Sequence, residues 1–259
     1  MKLSVIIPSL DGTVPSIASH PQVELVVVKG VSPVSAARNE GLRRSTGDYV
    51  AWVDADDEVL PEWTESILAG ITPQQGQPAV DVLSFNARVE WWDGSGRRPY
   101  AIGGVARWQD VLSERSAGQL WNKVFRRSLF SGLAFRDEAA PHEDYCMMSE
   151  LLPRAKTVVH LDKTLYVYKR RADGLSQYAN ADGVERAIRY LIGRCQGESD
   201  EIRREMTKGM VMRAADFCRN ARSVPVFRRF IRTHLTRVLT DSRVSFRVKI
   251  KCLFAGFGL

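Results

Sequence analysis

The stretch Asp48-Tyr-Val-Ala-Trp-Val-Asp54-Ala-Asp56-Asp57 decides how this chain is read. A short apolar run ends in three carboxylates within four positions. Like charges this close repel unless a cation sits among them, and carboxylate oxygens suit a hard divalent ion such as Mg²⁺ or Mn²⁺. Mg²⁺-type sites often combine one or two carboxylates with substrate phosphates, so a diphosphate partner is implied. A solvated acidic loop after a strand is the plainer alternative, and context decides between them.

The context is an alternation of strand and helix signals. Leu3–Pro8 is a β-branched run closed by proline, and Glu24–Lys29 is apolar almost throughout, as in a strand covered on both faces. A helix follows, with Ser32 as N-cap, Pro33 at its first position and Gly47 beyond its end. Tyr49–Val53 is a third strand and delivers the carboxylates. Pro61–Leu68 reads as a short helix stopped by Gly70, and Val80–Phe85 as a fourth strand. Ala87–Trp92 and Arg98–Ile102 form a hairpin around Asp93-Gly-Ser-Gly96. One of Trp91 and Trp92 packs inward, and the other is free to stack on a sugar ring. This order predicts an α/β fold, a mostly parallel sheet flanked by helices, with a C-terminal helical extension. In such sheets ligands bind outside the carboxyl ends of the strands, where Asp54–Asp57 falls.

Composition bounds the rest. The chain has 259 residues, 44% apolar and 26% charged, as in an ordinary soluble globular protein. Met1-Lys2 leads straight into the first strand without a signal peptide, and no run reaches membrane-spanning length, so a cytoplasmic protein is expected. The four cysteines are scattered and read as core residues in a reducing compartment. From Arg203 onward there are fourteen Lys/Arg against three Asp/Glu, a net of +11, which leaves −4 to residues 1–202 of a chain whose net charge is +7. Residues 184–259 read as helical. In Val226–Leu239, Phe227, Phe230, Ile231, Leu235 and Val238 fall at helical spacing with Arg228, Arg229, Arg232 and Arg237 around them, and Phe246–Phe254 mixes apolar and basic residues. Such helices lie on anionic membrane surfaces or pack on their own domain; we expect a peripheral attachment to a membrane face. No nucleic-acid-binding motif accompanies the charge, so nucleic acid is not expected as a partner.

Val34-Ser-Ala-Ala-Arg38-Asn39-Glu-Gly41-Leu with Thr46–Asp57 resembles family 2 glycosyltransferases of the GT-A fold. Three later segments agree: Leu120–Phe130, His142-Glu143-Asp144-Tyr145, and Leu165–Arg171 with Ser176. The resemblance spans roughly residues 2–177, and four weak motifs in order and spacing make a strong one. It implies a nucleotide-sugar-binding and catalytic domain over residues 1–180, followed by a basic helical region over 181–259. It implies inverting transfer from a nucleotide-diphosphate sugar to a polysaccharide or lipid-linked saccharide, with Mn²⁺ or Mg²⁺ as cofactor. On this resemblance Asp56 is the metal ligand and Asp54 holds the ribose or the metal's surroundings. Pro8, Asp11, Lys29, Arg38 and Lys123 join Asp54 in donor binding. Asp144 is the general base with Glu143 beside it, and Trp121 and His142 face the acceptor. Arg38 alternatively pairs with Asp48 or Asp54, Asn39 is structural or touches the nucleoside, Asp57 caps the turn, and Lys123 alternatively stands in water on a helix.

Two departures stand out. Only a short connection joins the first two strands, and the second ends in Val28-Lys29-Gly30 where the family carries an acidic contact to uracil. A lysine only donates, which favours a base offering a carbonyl acceptor. A sugar-phosphate nucleotidyltransferase would share the architecture, but Pro8-Ser-Leu-Asp-Gly-Thr13 has one glycine where that enzyme needs a glycine-rich phosphate loop. A non-catalytic nucleotide- or sugar-binding module is the other alternative.

Overall fold

The computed structural model describes residues 1–73, 75–104, 118–136, 142–171, 181–220 and 225–258. Ser176 lies outside them. The described strands are β1 (Leu3–Ser9), β2 (Val23–Lys29), β3 (Tyr49–Trp52), β4 (Glu58–Val59), β5 (Val82–Trp92), β6 (Tyr100–Ile102), β7 (Lys123–Arg126) and β8 (Val158–Arg171). The helices are α1 (Val34–Arg44), α2 (Trp63–Ile71), α3 (Glu143–Leu151), α4 (Ala181–Cys195), α5 (Asp200–Asn220), α6 (Pro225–Leu239) and α7 (Phe246–Phe257).

One sheet carries the fold, in the order β2-β1-β3-β7-β5-β8-β4, with β6 paired to β5. β1 pairs parallel with β2 and β3, and β5 with β8. β7 runs antiparallel between β3 and β5, so β3 and β5 point the same way. Five of the eight described strands thus end on one edge, and that carboxyl edge gathers Ser9, Lys29, Asp54, Trp92 and Arg171.

Strict alternation splits the apolar side chains between the two faces. Val5, Ile7, Tyr49, Ala51 and Val53 join Trp63 and Ile67 of α2 in one buried cluster. Ile6, Val50, Trp52 and Phe125 face the other way, toward α3. Tyr145, Met147 and Met148 of α3 continue that second core into Leu191 of α4, Met210 of α5, Ile231 of α6 and Cys252 of α7. Gly41 is what lets α1 lie on the sheet: a Cβ there would stand 2.2 Å from Ile6 Cγ2.

Several expectations shift. Pro33 is the N-cap and α1 begins at Val34, without a side-chain cap from Ser32. Gly70 does not stop α2, which runs on to Ile71; a Cβ at Gly70 would meet Leu83 at 2.8 Å, so the glycine serves close helix–strand packing. The fourth strand and the first strand of the hairpin are one strand, β5, whose pairing with β8 shifts register around Asn86. Neither tryptophan of the hairpin enters the core: Trp91 is half-buried and Trp92 is 60% exposed. The apolar stripe of α6 does not face outward; Phe227, Ile231, Leu235 and Val238 are all buried. The helical periodicity there was the core's.

Candidate active site

Asp54, Asp56 and Asp57 follow β3 directly and do three different things. Asp57 is buried: Tyr166 Oη donates to its Oδ2 at 2.7 Å and the backbone N–H of Lys169 to its Oδ1 at 2.8 Å. Burial and the nearby Asp54 push its carboxyl up to about 8. Tyr166 Oη also accepts the backbone N–H of Asp54 at 3.2 Å, so one phenol on β8 pins both ends of the acidic loop. The turn-holding alternative for Asp57 is the one the structure realises. Sequence reasoning missed Tyr166, whose signal is the alternation of Leu165-Tyr-Val-Tyr168.

Asp54 and Asp56 stay available, with 28% and 52% of their side-chain surface in water. Arg38 Nη2 stands 3.8 Å from Asp54 Oδ1, and Arg171 Nη1 3.9 Å from Asp56 Oδ2. Burial raises the carboxyl of Asp54; Arg38 opposes this, and Asp56 and Glu143 add to it. A cation between Asp54 and Asp56 would relieve that repulsion. Among the described residues no group of three or more His, Cys, Asp or Glu side chains gathers as a metal cage. Two carboxylates fit an ion that takes its remaining oxygens from a diphosphate and water, and fit poorly an ion held by protein alone.

Arg38 is buried, and its Nη1 donates to Glu143 Oε1 at 2.7 Å. Burial disfavours its charge, but Asp54, Glu143 and Asp144 outweigh that and hold its pKa above the ordinary value. The guanidinium therefore joins Asp54 to the acidic pair of α3, in the ion pair expected as one alternative for Arg38. Asp48 instead accepts the backbone N–H of Lys2 at 2.9 Å. Asn39 is structural: its side chain bonds the backbone of Phe135 both ways, at 2.8 and 2.7 Å.

That pairing separates the two acids of α3. Glu143 is buried and committed to Arg38. Asp144 is half-buried, and its Oδ1 accepts the backbone N–H of Tyr145 at 2.7 Å, which leaves Oδ2 for another partner. Burial and Glu143 raise it to about 6, against the pull of Arg38. His142 beside it is lowered to about 4 by burial and by Arg213, so it is a neutral imidazole near pH 7.

Lys123 stands neither on a helix nor in water. It opens β7, is fully buried, and donates to Gln119 O and Asn122 Oδ1, both at 2.7 Å. Burial lowers it to about 7, with Asp144 pulling the other way. Trp121 is 7% exposed and stacks on Tyr166 and Tyr168 at 4.9 and 5.5 Å, so its ring is occupied by tyrosines rather than offered to an acceptor. Pro8 pairs with Val28 inside the sheet. Asp11 closes its own turn through the N–H of Thr13 at 2.8 Å. Lys29 lies against Gly12, with its Cδ 3.1 Å from where a Cβ would stand. These three share the carboxyl edge with the acidic loop. A cleft of about 800 Å³ lined by Asn39, Glu40, Arg43, Phe135, Arg136 and Glu150 opens elsewhere; Asp54, Asp56 and Asp144 do not line it.

A model of the family described as "Glycosyl transferase family 2" matches residues 8–132. The chain is 28% identical over 160 residues to glycosyltransferase GlyA of Streptococcus pneumoniae serotype 4, a match covering 56% of this chain and 22% of GlyA. It is 28% identical over 162 residues to the uncharacterized glycosyltransferase YibD of Escherichia coli K12, covering 58% of this chain and 46% of YibD. The chain thus spans less than half the length of these curated relatives. The structure of S. aureus TarS 1–349 in complex with UDP-GlcNAc superposes with a TM-score of 0.63 at 16% identity, covering 98% of this chain and 87% of that one. Residues 8–132 thus match glycosyltransferase family 2, and the fold is GT-A.

Proposed function

We propose that this chain is an inverting, metal-dependent glycosyltransferase that moves a sugar from a nucleotide-diphosphate sugar to a saccharide or lipid-linked saccharide. One observation carries the reading: Arg38 lies between Asp54 beyond β3 and Glu143 of α3, so that a donor-side and an acceptor-side acid share one edge of the sheet. Asp56 and Asp54 hold the Mn²⁺ or Mg²⁺ ion, which when bound neutralises charge on the leaving nucleoside diphosphate. Asp144 takes the acceptor's proton at its Oδ2 as the acceptor oxygen bonds to the anomeric carbon and the bond to the diphosphate breaks on the opposite face. Arg38 holds Glu143 in an ion pair, and Tyr166 fixes the loop that carries Asp54. Lys29, at the end of β2, selects the base in place of the usual acidic contact. Residues 1–180 supply donor binding and catalysis in this reading, and residues 181–259 supply the basic helical region, which attaches the protein at the cytoplasmic face of a membrane.

Thermal shift against a panel of nucleotide sugars with Mn²⁺ tests it. A specific donor at a hundredfold its Kd stabilises the folded state by about 2.7 kcal/mol. We expect that shift only with metal and donor together, because two carboxylates alone make a weak cage. Asp56→Ala should abolish it and leave the unliganded melting temperature unchanged. Turnover undiminished by a chelator sinks the metal role, and a chain stabilised by no nucleotide sugar sinks the transferase reading.

A further inference from the structure

The hairpin of β5 and β6 carries groups that the catalytic site does not use. β5 and β8 run in register to their ends, where Trp92 faces Arg171 across the pair. Successive side chains alternate across the sheet, so Trp91 and Trp92 serve opposite faces. Trp91 is held by cations: the guanidinium of Arg97 lies 4.4 Å from its ring and that of Arg170 4.6 Å. Trp92 is 60% exposed, with Lys169 Nζ 4.7 Å from the ring centre. A tryptophan left this far in water on a firm strand forgoes one of the largest burial gains open to a side chain, and such aromatic anchors mark binding surfaces.

The platform is continuous with the acidic site. The backbone N–H of Lys169 bonds Asp57, and Arg171 reaches Asp56. Its charge is opposite to that of the site. Arg97, Arg98, Lys169, Arg170 and Arg171 crowd the strand ends, while Glu58 takes up Lys169 at 3.2 Å and Asp93 accepts the N–H of Ser95 at 2.9 Å. An anionic acceptor approaching Asp54, Asp56, Glu143 and Asp144 meets repulsion, and a strip of cations beside them offsets it.

We propose that this hairpin and the end of β8 form the acceptor platform, and that the acceptor is an anionic saccharide bearing phosphate or carboxylate groups. A sugar ring lies on Trp92, and the neighbouring acidic groups meet Lys169 and Arg171, which share its face of the sheet. The proposal rests on the transferase reading above and adds where the acceptor binds and what charge it carries.

Calorimetric titration of the full chain tests it with four probes: a tetragalacturonate, a phosphorylated mannopentaose, neutral mannopentaose, and vesicles with anionic lipid. We expect one or both charged oligosaccharides to bind at low salt, at least roughly tenfold tighter than the neutral one, and to weaken as salt rises. Which charged probe binds tells phosphate from carboxylate. Trp92→Ala should weaken that binding roughly tenfold, the size of an aromatic anchor, while Trp92→Phe recovers most of it. Trp92 is exposed, so both variants fold; circular dichroism checks this. Equal binding of neutral and charged oligosaccharides, no binding of either, Trp92→Ala behaving as wild type, or binding of vesicles alone each overturns the proposal. Donor-induced thermal shift, read on the same wild-type sample, tells whether the transferase reading has failed instead.

Discussion

At the scale of single residues, the site is a set of carboxylates given different tasks by their neighbours. Three acids act on Arg38, and of these Asp144 keeps its Oδ2 for another partner and is raised to about 6. A base must be deprotonated to act. Because Asp144 is raised to about 6, kcat should climb with pH through about 6 and level off above it. Asp144→Asn should lower kcat by roughly 10²–10⁴-fold and remove that limb, with donor affinity little changed. If Glu143→Gln removes the limb and Asp144→Asn keeps it, the assignment is off by one residue. The acids were legible in the chain because three carboxylates crowd the end of an apolar run, although one of them, Asp57, proves to hold the turn. Their division of labour was not legible, since it depends on Arg38 reaching 105 positions along the chain to Glu143. Lys123 was illegible for a similar reason: a lysine reads as solvated until Gln119 and Asn122 are seen to take its ammonium.

At the scale of elements, strong periodicity was readable and short or interrupted pairing was not. β1, β2 and β3 announce themselves by unbroken apolar runs, whereas β7 is four residues with a charge at each end and exists because β3 and β5 flank it. Among the helices, Lys208 of α5 is buried and ion-paired to Glu205 at 2.7 Å and to Asp241 in the turn between α6 and α7. Arg243 joins the same two acids at 2.7 and 2.9 Å. Removing one member of a buried network leaves the others uncompensated. Lys208→Met should therefore cost about 3 kcal/mol by urea unfolding, at the lower end of the range because Arg243 remains. A change below about 0.5 kcal/mol, the usual effect of a surface substitution, shows that the network is only a surface decoration.

At the scale of the whole molecule, the C-terminal helices divide their apolar residues. The stripe of α6 is core, as are Cys252 and Gly256 of α7. The opposite side of α7 exposes Phe246, Leu253, Phe254 and Phe257, with Ile250 half-buried among them and Arg247 alongside. No helix among the described residues is long and apolar enough to cross a membrane. Helical spacing alone cannot tell a core stripe from a membrane stripe, and that is why α6 misled. Phe254→Ser combined with Phe257→Ser should weaken binding to anionic vesicles roughly tenfold or more at low salt, while leaving the melting temperature near its wild-type value. Full-length protein that ignores such vesicles rules the attachment out. Deleting α7 is the wrong experiment, because it opens the core. The continuity of that core has a further consequence, in time. The inner face of α3, the helix that starts at the proposed base, is covered by α4 and α5, which leave the ribosome after every motif of the site. A nascent chain that already displays these acidic residues still lacks the wall that sets them, so on the proposed reading the capacity to consume donor arrives late in synthesis, after the motifs of the site are complete.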